Sequence, residues 1–122
     1  MIQKAKRKRL HNKLWKLFSI FIRKRDRHCV TCGIVKPIDE LQAGHYHDKA
    51  VSNPDLYFSE KNVSAQCPRC NLFLSGNKTA YAYYLTKKYG IGILEELMTL
   101  KNKAVKWTLE DYENRIKHYK QM

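Results

Sequence analysis

The chain has 122 residues, 24 Lys and Arg against 11 Asp and Glu, and a formal net charge of +13. That length suits one domain with helical extensions and a modest core that a metal staple would reinforce. The cationic excess points to a polyanionic partner, nucleic acid before an anionic membrane surface, and the longest apolar stretch, around Leu14 to Ile22, is broken by Lys16 and Ser19 and cannot span a bilayer.

Residues 1–9 form a basic lead with no apolar run and small-residue cleavage site after it, so no signal peptide is expected. Leu10, Leu14, Leu17, Phe18 and Phe21 then recur at helical spacing, with Lys13, Lys16 and Arg23 on the opposite face. This predicts one amphipathic helix over about residues 5–26 with a core-facing stripe. The run Arg23-Lys24-Arg25-Asp26-Arg27 closes it, where cations suit a helix C-terminus or can touch phosphate. Cys29-Val30-Thr31-Cys32-Gly33 follows, then a segment containing Pro37. Leu41–Tyr46 reads as a short strand ending near His45. From His47 to Lys61 the chain is polar, carries the turn cluster Ser52-Asn53-Pro54-Asp55, and is expected to be a loop. Asn62–Gln66 alternates weakly and reads as the second strand of a hairpin. It leads into Cys67-Pro68-Arg69-Cys70-Asn71, and a helix is expected from Cys70 or Asn71, interrupted at Ser75-Gly76-Asn77 and resumed at Lys78. Tyr81, Leu85 and Tyr89 share one face of it, Gly90 and Gly92 end it, and a short helix continues from Ile93 to Lys101. Thr108-Leu109-Glu110-Asp111 predicts the N-cap of a last amphipathic helix carrying Tyr112, Ile116 and Tyr119.

All four cysteines, Cys29, Cys32, Cys67 and Cys70, sit in two C-x-x-C pairs 34 residues apart. Four thiolates complete a tetrahedral shell, so the pairs predict one structural zinc joining distant parts of the chain rather than disulfides. His11, His28 and His118 stand among charged residues and read as surface. His45 follows a glycine at a strand end and faces the polar loop, while Asn71 is fixed beside the last cysteine. A neutral histidine can take a proton from water near neutral pH, and a hard divalent ion on amide, phosphate and water oxygens can stabilise charge on a phosphodiester. Two metals with separate tasks are therefore expected: zinc on sulfur, and Mg²⁺ or Mn²⁺ on oxygen. Arg23, Arg25, Arg69 and Lys78 are candidates to hold DNA phosphates.

A strand ending in histidine, a loop, an asparagine, a second strand and C-x-x-C-N resembles the zinc-containing ββα-metal (HNH) nucleases. More closely, Ala43-Gly44-His45-Tyr46, Asn62 to Asn71, Ser75-Gly76-Asn77 and Tyr81, with Lys13 to Ser19 and Lys106-Trp107-Thr108 in the flanks, resemble the NinG family of phage recombination proteins, also called Rap. The resemblance covers nearly the whole chain from about residue 12. It implies an α+β fold in which a small HNH-like core, residues 27–90, is stapled by a four-cysteine zinc site and flanked by the basic helix of residues 1–26 and the helices of residues 91–122. It further implies an endonuclease acting on branched DNA such as Holliday junctions and D-loops, in the host cytoplasm if phage-encoded, with a homodimer left open. Under it, His45 is the general base, Asn71 a ligand of the catalytic ion, and Asn62 the asparagine that ties the loop to the fold. Many relatives place an Asp before the histidine as a metal ligand; here that position is Gly44, and His47, Asp48, Asn77 or water are the alternatives. The competing reading is a DNA-binding zinc module in which Gly44 marks a decayed site, with a membrane-surface or RNA-binding basic protein as a third.

Overall fold

The computed structural model describes residues 2–122 and has no cis peptide bond among them. Helix α1 runs Ile2–Asp26, a few residues earlier than the apolar stripe requires, because the basic lead continues it as exposed helical turns. Leu14, Phe18 and Ile22, spaced by four, are fully buried. Their partner is the last helix, α5 (Leu109–Lys120), whose Tyr112, Ile116 and Tyr119 face α1. The Tyr119 ring lies 5.2 Å from Phe18 and 5.3 Å from Phe21. A capping box starts α5: Thr108 Oγ1 accepts from Asp111 N–H, and Asp111 accepts from Thr108 N–H.

Also packed against α1 is a two-stranded antiparallel hairpin, β1 (Gln42–His45) and β2 (Val63–Gln66), with Gly44 opposite Ser64 and His45 opposite Val63. The weak alternation of β2 has a physical cause: all four residues are buried, so neither face is turned to solvent. Its second edge is closed as well. Ala65 N–H donates to the Asp26 carboxylate at 2.8 Å, and Ala65 C=O accepts from Val30 N–H at 3.0 Å. Arg25 forks onto the same carboxylate at 2.8 and 3.0 Å and donates to the carbonyls of Glu60 and Val63. The end of α1 is thereby locked across the sheet.

The expected loop of residues 47–61 is partly ordered into helix α2 (Pro54–Tyr57). The turn cluster is its N-cap: Asn53 Oδ1 accepts from Leu56 N–H at 2.9 Å, with Pro54 at N1, where its missing N–H is not needed. The helix expected from Cys70 is one wide turn, Arg69–Phe73. Ser75, Gly76 and Asn77 then take positive φ, and α3 (Lys78–Tyr89) begins after them. A second core joins Leu56 of α2, Tyr81 and Leu85 of α3, and Ile93 and Leu97 of α4 (Ile93–Lys101). His11 is not a surface residue: it is half-buried, edge-on to Tyr57, Phe58 and Tyr112. No described helix is long and apolar enough to cross a membrane.

Candidate metal centre and adjoining cavity

The two C-x-x-C turns converge as their spacing requires. The four Sγ atoms all lie within 4.8 Å of one another, with Cys32 and Cys67 at 3.8 Å. Tetrahedral zinc at the usual Zn–S length of about 2.3 Å would set sulfurs about 3.8 Å apart, so the cluster fits such an ion. All four are free thiols; three are buried and Cys32 is exposed. Burial raises the Cys29 thiol, but hydrogen bonds from the Thr31 hydroxyl and from backbone N–H groups outweigh it and bring it down to about 6, favouring the thiolate a metal needs. Asn77, held in the left-handed region at φ 48°, donates its Nδ2–H to Cys70 Sγ at 3.7 Å. It therefore supports the sulfur cluster and does not line the neighbouring cavity.

That cavity, about 390 Å³, opens beside the hairpin and is lined by Ala43, His45, Asp48, Lys49, Asn71 and Lys78 among others. His45 is 6% exposed. Its Nε2–H donates to the Tyr57 carbonyl at 2.9 Å, which leaves Nδ1 as the ring's free lone pair. Trp15 of α1 stacks on the imidazole at 5.1 Å and 19°, and Tyr57 packs at 4.7 Å. Burial, with Lys49 and Lys78 nearby, lowers the His45 pKa to about 4 despite the Tyr57 hydrogen bond, so the ring is neutral at pH 7. On the other face of β1, Asn71 Nδ2–H donates to Gln42 Oε1 at 2.8 Å. This directs Asn71 Oδ1 toward Gly44, 2.9 Å from where a Cβ on that glycine would sit. Gly44 and His45 point to opposite faces of β1 by alternation, and Asn71 reaches the Gly44 side from the turn after Cys70; His45 and Asn71 both line the cavity.

The family described as "Bacteriophage Lambda NinG protein" matches residues 2–122. The chain belongs to the NinG family. It is 38% identical over 93 residues to Protein ninG of Salmonella phage P22, covering 75% of this chain and 44% of that protein. Against Protein ninG of Escherichia phage lambda the identity is 37%, with 75% and 44% covered. Against that of Escherichia phage 933W it is 37%, with 75% and 45% covered. The chain therefore spans less than half the length of the curated relatives it matches. No solved structure matches it.

The remaining site candidates of this NinG-family chain separate clearly. Asn62 is fully buried and braces the start and end of the loop. Its Oδ1 accepts from His47 N–H at 2.9 Å, while its Nδ2–H groups donate to the carbonyls of Leu56 and His47 at 3.1 and 3.3 Å. His47 itself does not line the cavity; burial, then Lys101 and Lys78, lower its pKa. Arg25 is consumed by Asp26 and backbone carbonyls, and Arg23 by Ser19 and the Ile38 carbonyl at 3.0 Å. Both therefore act first as internal staples. Lys78 ends inside the cavity wall, donating to the carbonyls of His45 and Tyr46 and to Asp48 Oδ1 at 2.9 Å. Arg69 is exposed and has no side-chain partner among the described residues. Sequence patterns did not single out Lys49, whose Nζ lies 5.2 Å over the Trp15 ring at the cavity edge, or Gln66 behind Gly44. The signal for Trp15 was present, an aromatic beside the α1 stripe, but core packing explained it equally well.

Proposed function

We propose that this chain is a metal-dependent endonuclease of the HNH type, corresponding to Rap, that hydrolyses phosphodiesters in branched DNA during phage recombination. The observation that carries the reading is the pair His45 and Asn71 on one cavity, with the histidine held neutral and its Nε2–H committed to Tyr57. In this reading β1, β2 and α3 form the ββα core, and the cysteines hold zinc for the fold. His45 Nδ1 takes the proton from the attacking water, a task that needs a neutral ring. A divalent Mg²⁺ or Mn²⁺ supplies stabilisation of the charge that develops on the phosphate and leaving oxygen. Asn71 would hold it through Oδ1, which stays free while its Nδ2–H donates to Gln42 Oε1. Among the described residues only the cysteines form a cluster of three or more metal-binding side chains. The hard ion would rest on amide, phosphate and water oxygens, with the one carboxylate of the cavity wall, Asp48, engaged by Lys78 at 2.9 Å; such oxygens suit Mg²⁺ better than a soft metal.

The DNA reading draws on the exposed cations of α1, from Lys4 to Arg9 and at Lys13 and Lys16, and on Lys49 and Arg69 nearer the cavity. Preference for a branch point draws on Leu72, Phe73 and Leu74, exposed directly after Asn71, with Phe73 82% exposed. Such an apolar tip can meet bases already unstacked, which intact duplex does not offer. The absence of a carboxylate at Gly44 favours one alternative, a zinc-stapled DNA-binding module without catalysis. A cleavage assay on linear, forked and four-way DNA, with and without Mg²⁺ or Mn²⁺, separates the two. Metal-dependent cutting of branched DNA is expected; binding without cutting under either metal gives the alternative.

A further inference from the structure

We infer that Gln66 stands in for the carboxylate missing before His45, supplying through Oε1 the second protein oxygen of the divalent-ion site formed with Asn71. This rests on the nuclease reading and goes one residue beyond it. Gln66 is the register partner of Gln42, so its side chain lies on the face of the hairpin that carries Gly44. It is fully buried. Its Nε2–H groups donate to the Gly76 carbonyl at 2.7 Å and the Thr31 hydroxyl at 3.2 Å. Because the Gly76 carbonyl can only accept, the amide cannot be turned around.

Gln66 Oε1 is thereby aimed at Gly44, buried and without any hydrogen-bond partner. Buried carbonyl oxygens are almost always satisfied, so this one calls for a ligand. It lies 1.9 Å from the position of a Cβ on Gly44, and Asn71 Oδ1 lies 2.9 Å from the same point. Two amide oxygens converge there: that of Gln66 is fixed by donation of its NH₂ to the Gly76 carbonyl, and that of Asn71 is turned there by donation to Gln42 Oε1. Both are hard, neutral donors of the kind Mg²⁺ and Mn²⁺ accept. The glycine is what makes this possible, since any side chain at position 44 would collide with Oε1. The bare Gly44 on β1 and the buried amide of Gln66 on β2 occupy one space.

The test uses the zinc-loaded full chain and Mn²⁺ as probe, with bound ion measured by electron paramagnetic resonance and zinc content and melting temperature followed in parallel. The parent is expected to bind one Mn²⁺. Gln66→Ala should weaken it roughly 10–100-fold, the range seen even for outer-shell partners of a metal, and slow four-way-junction cleavage at fixed Mn²⁺. Gly44→Ala keeps the amide but sets a Cβ onto Oε1, and should weaken Mn²⁺ too; it carries the test if Gln66→Ala loses zinc. Gly44→Asp combined with Gln66→Ala should recover Mn²⁺ affinity, while Gly44→Asp alone should not. Unchanged Mn²⁺ affinity in Gln66→Ala and Gly44→Ala, with a parent that binds Mn²⁺ and cuts DNA, overturns the assignment of Gln66 alone. A parent that neither binds Mn²⁺ nor cuts overturns it together with the nuclease reading.

Discussion

The sulfur cluster and the amide face of the hairpin touch at two peptide bonds, Gln66–Cys67 and Cys70–Asn71, yet they are opposite kinds of site. The first gathers four soft, ionisable donors in a nearly closed shell. The second sets two neutral amide oxygens against Gly44, that of Gln66 buried and that of Asn71 on a residue of the cavity wall, beside a histidine that burial keeps uncharged. Four thiolates can bind an ion tightly enough to hold two chain segments together, whereas a few amides hold one loosely enough for phosphate and water to share it. Asn71 and Gln66 take their positions from the cysteines next to them, so the proposed ion site would borrow its geometry from the sulfur cluster.

The largest expected effect comes from breaking the tight site. Cys67→Ser or Cys70→Ser should lose zinc and cooperative folding together, because structural zinc supplies roughly 10–16 kcal/mol at neutral pH. Zinc content and a melting curve check it, and an unchanged melting curve without metal would show that the cluster is not a staple.

Breaking the loose site should leave the tight one intact. Under the proposed nuclease function, His45→Ala should reduce single-turnover junction cleavage by roughly 10²–10⁴ while zinc and DNA binding persist. Asn71→Ala should also lose cleavage, with partial rescue at raised Mn²⁺, and the exposed His118→Ala should change nothing. Parental rates in His45→Ala would remove that residue as the base.

The smallest effect is in pH. His45 has an ordinary pKa of 6.5 and is lowered to about 4 in the folded chain, and burial lowers His11 and His47 in the same direction. Below 6.5 the unfolded chain takes protons that the folded chain refuses, so His45 contributes stability that is present above 6.5 and is lost as pH falls toward 4, with His11 and His47 acting in the same direction. An NMR titration should show no transition of the His45 ring near 6.5. A midpoint there would mean that the imidazole is not sealed by Trp15 and Tyr57, and the contrast between the two sites would weaken.

Much of this molecule was legible in the chain itself. The C-x-x-C spacing, the α1 stripe, the hairpin and the Thr108 cap depend on local periodicity and on residue chemistry acting over a few positions, and each appears near its expected place. What local pattern could not decide was the use of each polar side chain. Arg23 and Arg25 looked like phosphate contacts, but the distant carbonyls of Ile38, Glu60 and Val63 claim them. His47 and Asn77 stood as near to the motif as any alternative ligand, but the backbone turns them away from the cavity, Asn77 onto Cys70. Gln66 carried no signal, because what distinguishes it is an empty Cβ position on another strand and a carbonyl ten residues onward. Donor type and spacing are written in sequence. Which acceptor lies within hydrogen-bond reach, and which oxygen is left without one, is settled only when the strands pair and the segments between them close.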